Sequence, residues 1–216
     1  MKKYRYILFD LDGTLTLSHP GIFYCLSYTL EKMGYPEAGE EAMRKWIGPP
    51  ITQSFQEIFK MSDERAAEAT KIYRKRYGEV GWEMNERMPF ALEALRALKS
   101  AGYTLALATS KPKIFSDKIT EKFGFSEYLT VEVGCGVDGS FPTKASVIKE
   151  AVRLLGADEK ECLMVGDRKH DILGARECGI AAAGLRVGYA LQGELEACEP
   201  EYIFENFQEL TTFLLG

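Results

Sequence analysis

The chain has 216 residues, 46% hydrophobic and 27% charged, with a net charge of −5; this suits a globular protein with one full-sized core and a smaller insertion, and leaves no stretch that reads as a disordered tail. The acidic balance argues against general binding of a nucleic acid polymer, which needs clustered Lys and Arg on one face, and the run Arg74-Lys75-Arg76 reads as the solvated face of a helix. Five cysteines (Cys25, Cys135, Cys162, Cys178 and Cys198) include no C-x-x-C pair, so neither a disulfide framework nor a zinc knuckle is expected, and they read as free thiols in a reducing compartment.

The first predicted element is a strand. Tyr4 to Phe9 is apolar except for Arg5, ends in Asp10 and runs into Gly13, the pattern of a buried strand entering a tight loop. The two lysines ahead of it introduce an apolar run too brief for a signal-peptide core, and nothing later approaches the ~18 apolar residues of a membrane span. A cytoplasmic location with no membrane association is the expectation. From Pro20 to about Trp82 the pattern turns helical: Ile22, Phe23, Leu26 and Leu30 share one face, and Phe55, Ile58 and Phe59 another. Gly34-Tyr35-Pro36 and Gly48-Pro49-Pro50 divide this stretch into pieces.

Pro89 suits the first position of a helix, and Leu92, Leu95 and Leu98 repeat helically after it until Gly102 supplies a stop. Strands over Tyr103 to Ala108, Tyr128 to Val133, Cys162 to Val165 and Ile180 to Ala183 then alternate with helices over Lys113 to Phe123, Lys144 to Leu155 and Asp171 to Cys178. Strands apolar on both faces and separated by helices predict a doubly wound α/β fold, a parallel sheet covered on both sides. The helical stretch breaks that rhythm, so residues 1–15 and 86–216 are expected to form the α/β core and 16–85 an inserted, all-helical cap.

Ligands of open α/β sheets bind outside the carboxyl ends of the strands, which selects Asp10-Leu11-Asp12-Gly13-Thr14, Thr109-Ser110-Lys111-Pro112 and Gly166-Asp167-Arg168-Lys169-His170-Asp171. Asp10 and Asp12, two apart at a strand end, direct both carboxylates into one crevice, and Asp167 and Asp171, four apart at a helix start, add two more. Four converging carboxylates imply a cation, and an all-oxygen set without His or Cys favours Mg²⁺ over zinc. Phosphate-ester chemistry accounts for the remaining residue types. A carboxylate attacks phosphorus, Mg²⁺, Lys144 and the Thr109 or Ser110 hydroxyl offset the phosphoryl charge, and Asp12 is placed to protonate the leaving oxygen and then activate water.

These four elements, in this order, resemble the haloacid dehalogenase superfamily, whose phosphatases carry D-x-D-G-T after the first strand, Thr or Ser after the second, Lys before a later helix, and G-D-x-x-x-D. The resemblance covers Tyr4 to about Ala183. It implies that Asp10 is the nucleophile, forming an aspartyl-phosphate, and Asp12 the general acid/base, with Thr109 and Lys144 binding the phosphate. It implies that Asp10, the Asp12 carbonyl and Asp167 ligate Mg²⁺, with Asp171 ligating it or orienting a metal-bound water. The cap resembles those of phosphoglycolate phosphatases and similar enzymes, so Arg44 and Gly48 are candidate substrate contacts, and the Gly-Asp-Arg-Lys-His-Asp wording is similar to the bacterial 5′-nucleotidase-like branch. The implied substrate is a small phosphorylated metabolite, a nucleoside 5′-monophosphate or phosphoglycolate, with no obligatory protein partner. The chain departs from its relatives at Thr16-Leu17-Ser18, where phosphoglycolate phosphatases usually carry an acid, and at Ser110, where many have Asn.

Plainer readings stand beside these. Asp10 and Asp12 could be ordinary turn formers, Lys144 a solvated helix-start residue with Lys111 as the alternative phosphate lysine, and Gly134 to Gly139 either a G-x-G-x-x-G dinucleotide loop or a flexible connection to Lys144. Phe141-Pro142 separates that loop from the next helix, which the dinucleotide fingerprint does not allow. His19 and His170 have no partner pattern, and His170 is expected on a surface loop between the two acids. A phosphomutase of the β-phosphoglucomutase type would use the same Asp10 and Asp12 and is the alternative activity.

Overall fold

The computed structural model describes residues 3–39, 43, 46–47 and 51–216; the expectations for Arg44 and Gly48 lie outside them. The chain enters through strand β1 (Tyr6–Phe9) and the two-residue β2 (Thr16–Leu17). Helices α1 (His19–Met33), α2 (Ile51–Phe59) and α3 (Asp63–Glu79) follow, with a turn of 3₁₀ helix at Gly81–Met84. After β3 (Glu86–Arg87) the chain alternates through α4 (Ala91–Ser100), β4 (Thr104–Pro112), α5 (Lys113–Phe123), β5 (Leu129–Cys135), α6 (Lys144–Leu155), β6 (Cys162–Gly166), α7 (Lys169–Glu177) and β7 (Ala181–Leu185). It ends in β8 (Tyr202–Phe204) and α8 (Phe207–Leu215). It divides into two compact units, Met1–Leu17 with Arg87–Gly216, and Ser18–Glu86.

In the first unit six strands form one parallel sheet in the order β5-β4-β1-β6-β7-β8. Ile7, Leu8 and Phe9 of β1 are all fully buried, as a strand covered on both faces requires, and each contributes about 2 kcal/mol by leaving water. Leu8 joins Ala106, Met164, Val147, Ile148 and Ile172 in a core under α6 and α7, while Phe9, pointing the other way, packs 6.4 Å from Phe207 of α8. Successive strands are laid to one side of β1 as far as β5 and to the other from β6 onward. That reversal opens a crevice at the carboxyl end of β1.

Several boundaries differ from the expected ones for local reasons. Phe90 adopts a left-handed conformation (φ 63°), so α4 starts at Ala91 and Pro89 sits in the preceding turn. Strand β4 runs on from Ala108 to Pro112, with a register shift between Thr109 and Pro112. His170 lies half-buried in the first turn of α7 rather than on a loop. In the second unit Ile22, Leu26 and Leu30 of α1 are buried as their spacing predicts, and Trp46 stands edge-on to Phe55 at 4.4 Å. Arg74 and Lys75 are exposed, whereas Arg76 hydrogen-bonds Tyr24 and pairs with Glu79 at 3.6 Å. None of the five cysteines is joined in a disulfide, and among the described residues no helix is long and apolar enough to cross a membrane.

Candidate active site

Asp10 continues the ladder of β1, its N–H donating to Val165 O at 3.0 Å, and so ends up at the mouth of the crevice. The chain then turns at Gly13, whose φ of 85° and lack of a side chain are both required: a Cβ there would lie 2.3 Å from Asp167 Oδ2. Thr14, just after this turn, donates its hydroxyl to Asp167 Oδ1 at 3.0 Å. The second Asp167 oxygen accepts the Tyr189 N–H at 2.6 Å. Asp171, in the first turn of α7, accepts the Arg168 N–H at 3.0 Å.

Lys144 opens α6. Thr143 and Ser146 close a reciprocal capping box that fixes the start of that helix. Its ammonium lies 2.7 Å from Asp10 Oδ1 and 2.8 Å from Asp171 Oδ1, and donates to the Ala108 carbonyl at 3.0 Å. Lys111 takes a separate place, bonding both oxygens of Asp12 at 2.8 and 2.9 Å. The two lysines between which the sequence left a choice are thus both engaged, each with different acids. Thr109 and Lys111, two apart on β4, are both buried and Ser110 between them is half-buried. The Thr109 hydroxyl accepts the Lys111 N–H at 3.2 Å.

Three carboxylates, not four, converge: Asp10, Asp167 and Asp171 each offer an oxygen within 4.8 Å of the others', whereas the Asp12 carboxylate is occupied by Lys111. Burial first, and the neighbouring Asp171 second, drive the Asp167 pKa well above the usual carboxylate value; Tyr189 N–H and the Thr14 hydroxyl pull against this. Burial pushes Asp171 up to about 6, with Lys144 opposing and Asp10 adding to the effect. Burial likewise disfavours the Lys144 ammonium, but the charges of Asp10 and Asp171 outweigh it and hold that pKa above the ordinary lysine value.

A hard divalent cation fits this donor set. The three acids share one ammonium, and Asp167 is held by neutral donors. Asp10 Oδ1 and Asp171 Oδ1 are both buried and share a single ammonium, that of Lys144. Two buried carboxylates on one cation favour a further positive charge beside them.

Two features went unread in the sequence. One is the segment after β7, where Tyr189 reaches Asp167; the strand-end rule would have selected it, being the end of β7. The other is Glu194, which accepts from Arg168 Nε at 2.7 Å and from the Lys169 N–H at 2.9 Å. The glycine-rich segment after β5 closes on itself through Gly136 N–H to Ser140 O (2.8 Å) and Ser140 N–H to Asp138 (3.0 Å), and α6 starts only at Lys144. No helix N-terminus opens out of that loop, so the dinucleotide geometry is not formed.

Known proteins match this arrangement across its length. Residues 7–185 match the haloacid dehalogenase-like hydrolase family. The chain is 36% identical over 212 residues to a 5′-nucleotidase of Pseudomonas aeruginosa, covering 98% of this chain and 96% of the relative. It is 32% identical over 220 residues to a phosphoglycolate phosphatase of Vibrio parahaemolyticus, covering 95% and 94%. The crystal structure of a predicted phosphatase from Clostridium acetobutylicum superposes with a TM-score of 0.93 at 34% identity, covering 98% of each chain. With the acid cluster and its lysine gathered at the end of the first strand, the chain belongs to the haloacid dehalogenase-like hydrolases.

Proposed function

We propose that the chain is a Mg²⁺-dependent phosphomonoester hydrolase acting on a small phosphorylated metabolite through an aspartyl-phosphate on Asp10. The observation that carries this reading is the sharing of Lys144 between Asp10 and Asp171 inside a buried acid cluster. A carboxylate can attack a phosphate ester only where the charge of both is offset, and Lys144 stands at the carboxylate in question. Asp10, Asp167 and Asp171 would hold Mg²⁺, with the Asp12 carbonyl added, and the ion supplies charge neutralisation of the phosphoryl oxygens. Thr109 and Ser110 donate hydroxyls to those oxygens.

Asp12 is assigned the proton transfers, first to the leaving oxygen and then from the attacking water. Its hold on Lys111 has to loosen for it to carry a proton, and a phosphate anion that draws Lys111 toward itself does this. Substrate choice is assigned to the helical unit, Arg44 and Gly48 included. Nucleoside 5′-monophosphates come first and phosphoglycolate second, in keeping with the names of the two relatives.

Phosphate release from a panel of phosphorylated metabolites, with Mg²⁺ and after exhaustive chelation, tests the reading. Release that requires Mg²⁺ and disappears in Asp10→Asn is the expected result. Appreciable turnover by Asp10→Asn would remove Asp10 from the nucleophile role, and full activity in EDTA would overturn the metal assignment.

A further inference from the structure

We propose that Glu194 is a positioning residue for the metal site, acting by clamping the segment after β7 onto the start of α7 so that Asp167 keeps its orientation. The inference rests on the metal reading above and extends it to a residue that touches none of the three acids.

Glu194 is a carboxylate with four donors on two different pieces of chain. Oε1 accepts from Arg168 Nε at 2.7 Å and from the Lys169 N–H at 2.9 Å, both at the beginning of α7. Oε2 accepts from the Leu191 N–H at 3.3 Å, within the segment after β7, and from a second Arg168 nitrogen at 3.3 Å. Both side chains of the Arg168–Glu194 pair are buried, 6% and 8% exposed, and a bidentate pair out of water is geometrically demanding in a way that a surface pair is not. Burial works against the Glu194 charge, but Arg168 and the Lys169 N–H hold its carboxyl below the usual value.

What the clamp holds is the turn that carries Tyr189. Five residues before Glu194, the Tyr189 N–H meets Asp167 Oδ2 at 2.6 Å. The approach is close enough that a Cβ on Gly188 would stand 2.2 Å from the same oxygen. Arg168, gripped from the far side, is the neighbour of Asp167 in the chain. One carboxylate therefore fixes Asp167 by two routes: through its own backbone at Arg168, and through the N–H that directs its side chain. A group that aims a metal ligand sets how well that ligand can meet the ion, and such groups alter affinity by roughly ten- to a hundredfold.

Binding of Mn²⁺ to the metal-free protein, followed by the paramagnetic resonance of the free ion, provides the test. Asp167→Asn serves as the control for binding at the acid cluster. Glu194→Gln keeps the size of the side chain but turns one acceptor into a donor facing Leu191 or Arg168. It is expected to weaken Mn²⁺ binding about tenfold and to raise the Mg²⁺ concentration giving half-maximal activity by a similar factor, with kcat at saturating Mg²⁺ falling less. Glu194→Asp should recover part of the loss, and Gly188→Ala should reproduce it. Should Glu194→Gln not fold, as judged by circular dichroism, Glu194→Asp decides the matter in the same way. Folded variants that bind Mn²⁺ like the wild type, however much their thermal stability drops, make Glu194 a purely structural residue and sink the proposal. Wild-type binding that is absent, or indifferent to Asp167→Asn, would instead overturn the metal reading, and the clamp with it.

Discussion

Lys144 and Lys111 are both buried cations at the carboxyl end of the sheet, yet they do different work. Lys144 stands between two acids that meet no other cation among the described residues, whereas Lys111 neutralises a single partly exposed one, Asp12. Removing one partner of a buried ionic group strands the other, at a cost of about 3–5 kcal/mol. Lys144→Ala is therefore expected to lower the unfolding free energy of the metal-free protein by about 3 kcal/mol in urea titrations, and to slow turnover by at least about tenfold. Lys111→Ala should slow turnover with a much smaller loss of stability; a variant pair showing the reverse pattern would exchange the two roles. Asp12 was placed with the other acids by its spacing, but Lys111 takes its carboxylate; Asp10, Asp167 and Asp171 were legible because they stand at strand ends and at the helix start that follows one, where an open α/β sheet gathers its ligands. The partner of Asp167 was not, because the Tyr189 N–H is a backbone donor, and every residue but proline has one. Nothing in residue type marks such a group.

The elements deliver these residues by close contact between α6 and α7. Gly174 on α7 sits where a Cβ would lie 2.8 Å from Lys144 Cγ and 3.1 Å from the Ala145 nitrogen. In an open helix Gly→Ala gains up to about 1 kcal/mol from propensity alone. Here the added methyl has to push the first turn of α6, and Lys144 with it. Gly174→Ala is expected to leave the melting temperature within a few degrees of the wild type but to cut kcat by about tenfold or more, since sub-ångström misplacement of a catalytic group is expensive in rate. A wild-type kcat would show that α6 has room to yield. Helices α1 and α4 announced themselves through apolar periodicity, in Ile22, Leu26 and Leu30 and in Leu95 and Leu98, but β8 and α8 did not. Three residues of β8 are too few to show alternation. For α8 the start signal was present in Asn206, whose side chain caps the Glu209 N–H at 2.9 Å.

For the whole molecule, the acid cluster couples stability to pH and to the ion. Asp167 and Asp171 have folded-state pKa values raised above their unfolded ones. A raised carboxyl contributes stability while protonated, so this contribution is present below about pH 4 and is lost as the pH climbs through the folded values, about 6 for Asp171. The metal-free protein should thus lose part of its stability between about pH 4 and 7. Mg²⁺ at a hundred times its dissociation constant should restore about 2.7 kcal/mol at neutral pH, or roughly 5–10 °C in melting temperature, and much less at pH 5. Differential scanning calorimetry at the two pH values checks this, and an Mg²⁺ shift independent of pH would dissociate the ion from these acids. The parallel sheet itself was readable at this scale because strands buried on both faces are uniformly apolar, and their order in the sheet places the carboxyl ends of β4 and β6 on either side of Asp10.

Lys144 also bears on how a newly made copy of the chain reaches its working state. Without it, folding would have to bury Asp10 beside Asp171 before any ion had arrived to stand between them. With its ammonium between Asp10 and Asp171, the polypeptide carries a resident counter-ion of its own and can complete the sheet first. It then differs from small metal-dependent domains that stay unfolded until loaded. On the metal reading proposed above, assembly and metal loading would be separate events, and a shortage of the ion would leave behind an intact, idle enzyme rather than a misfolded chain.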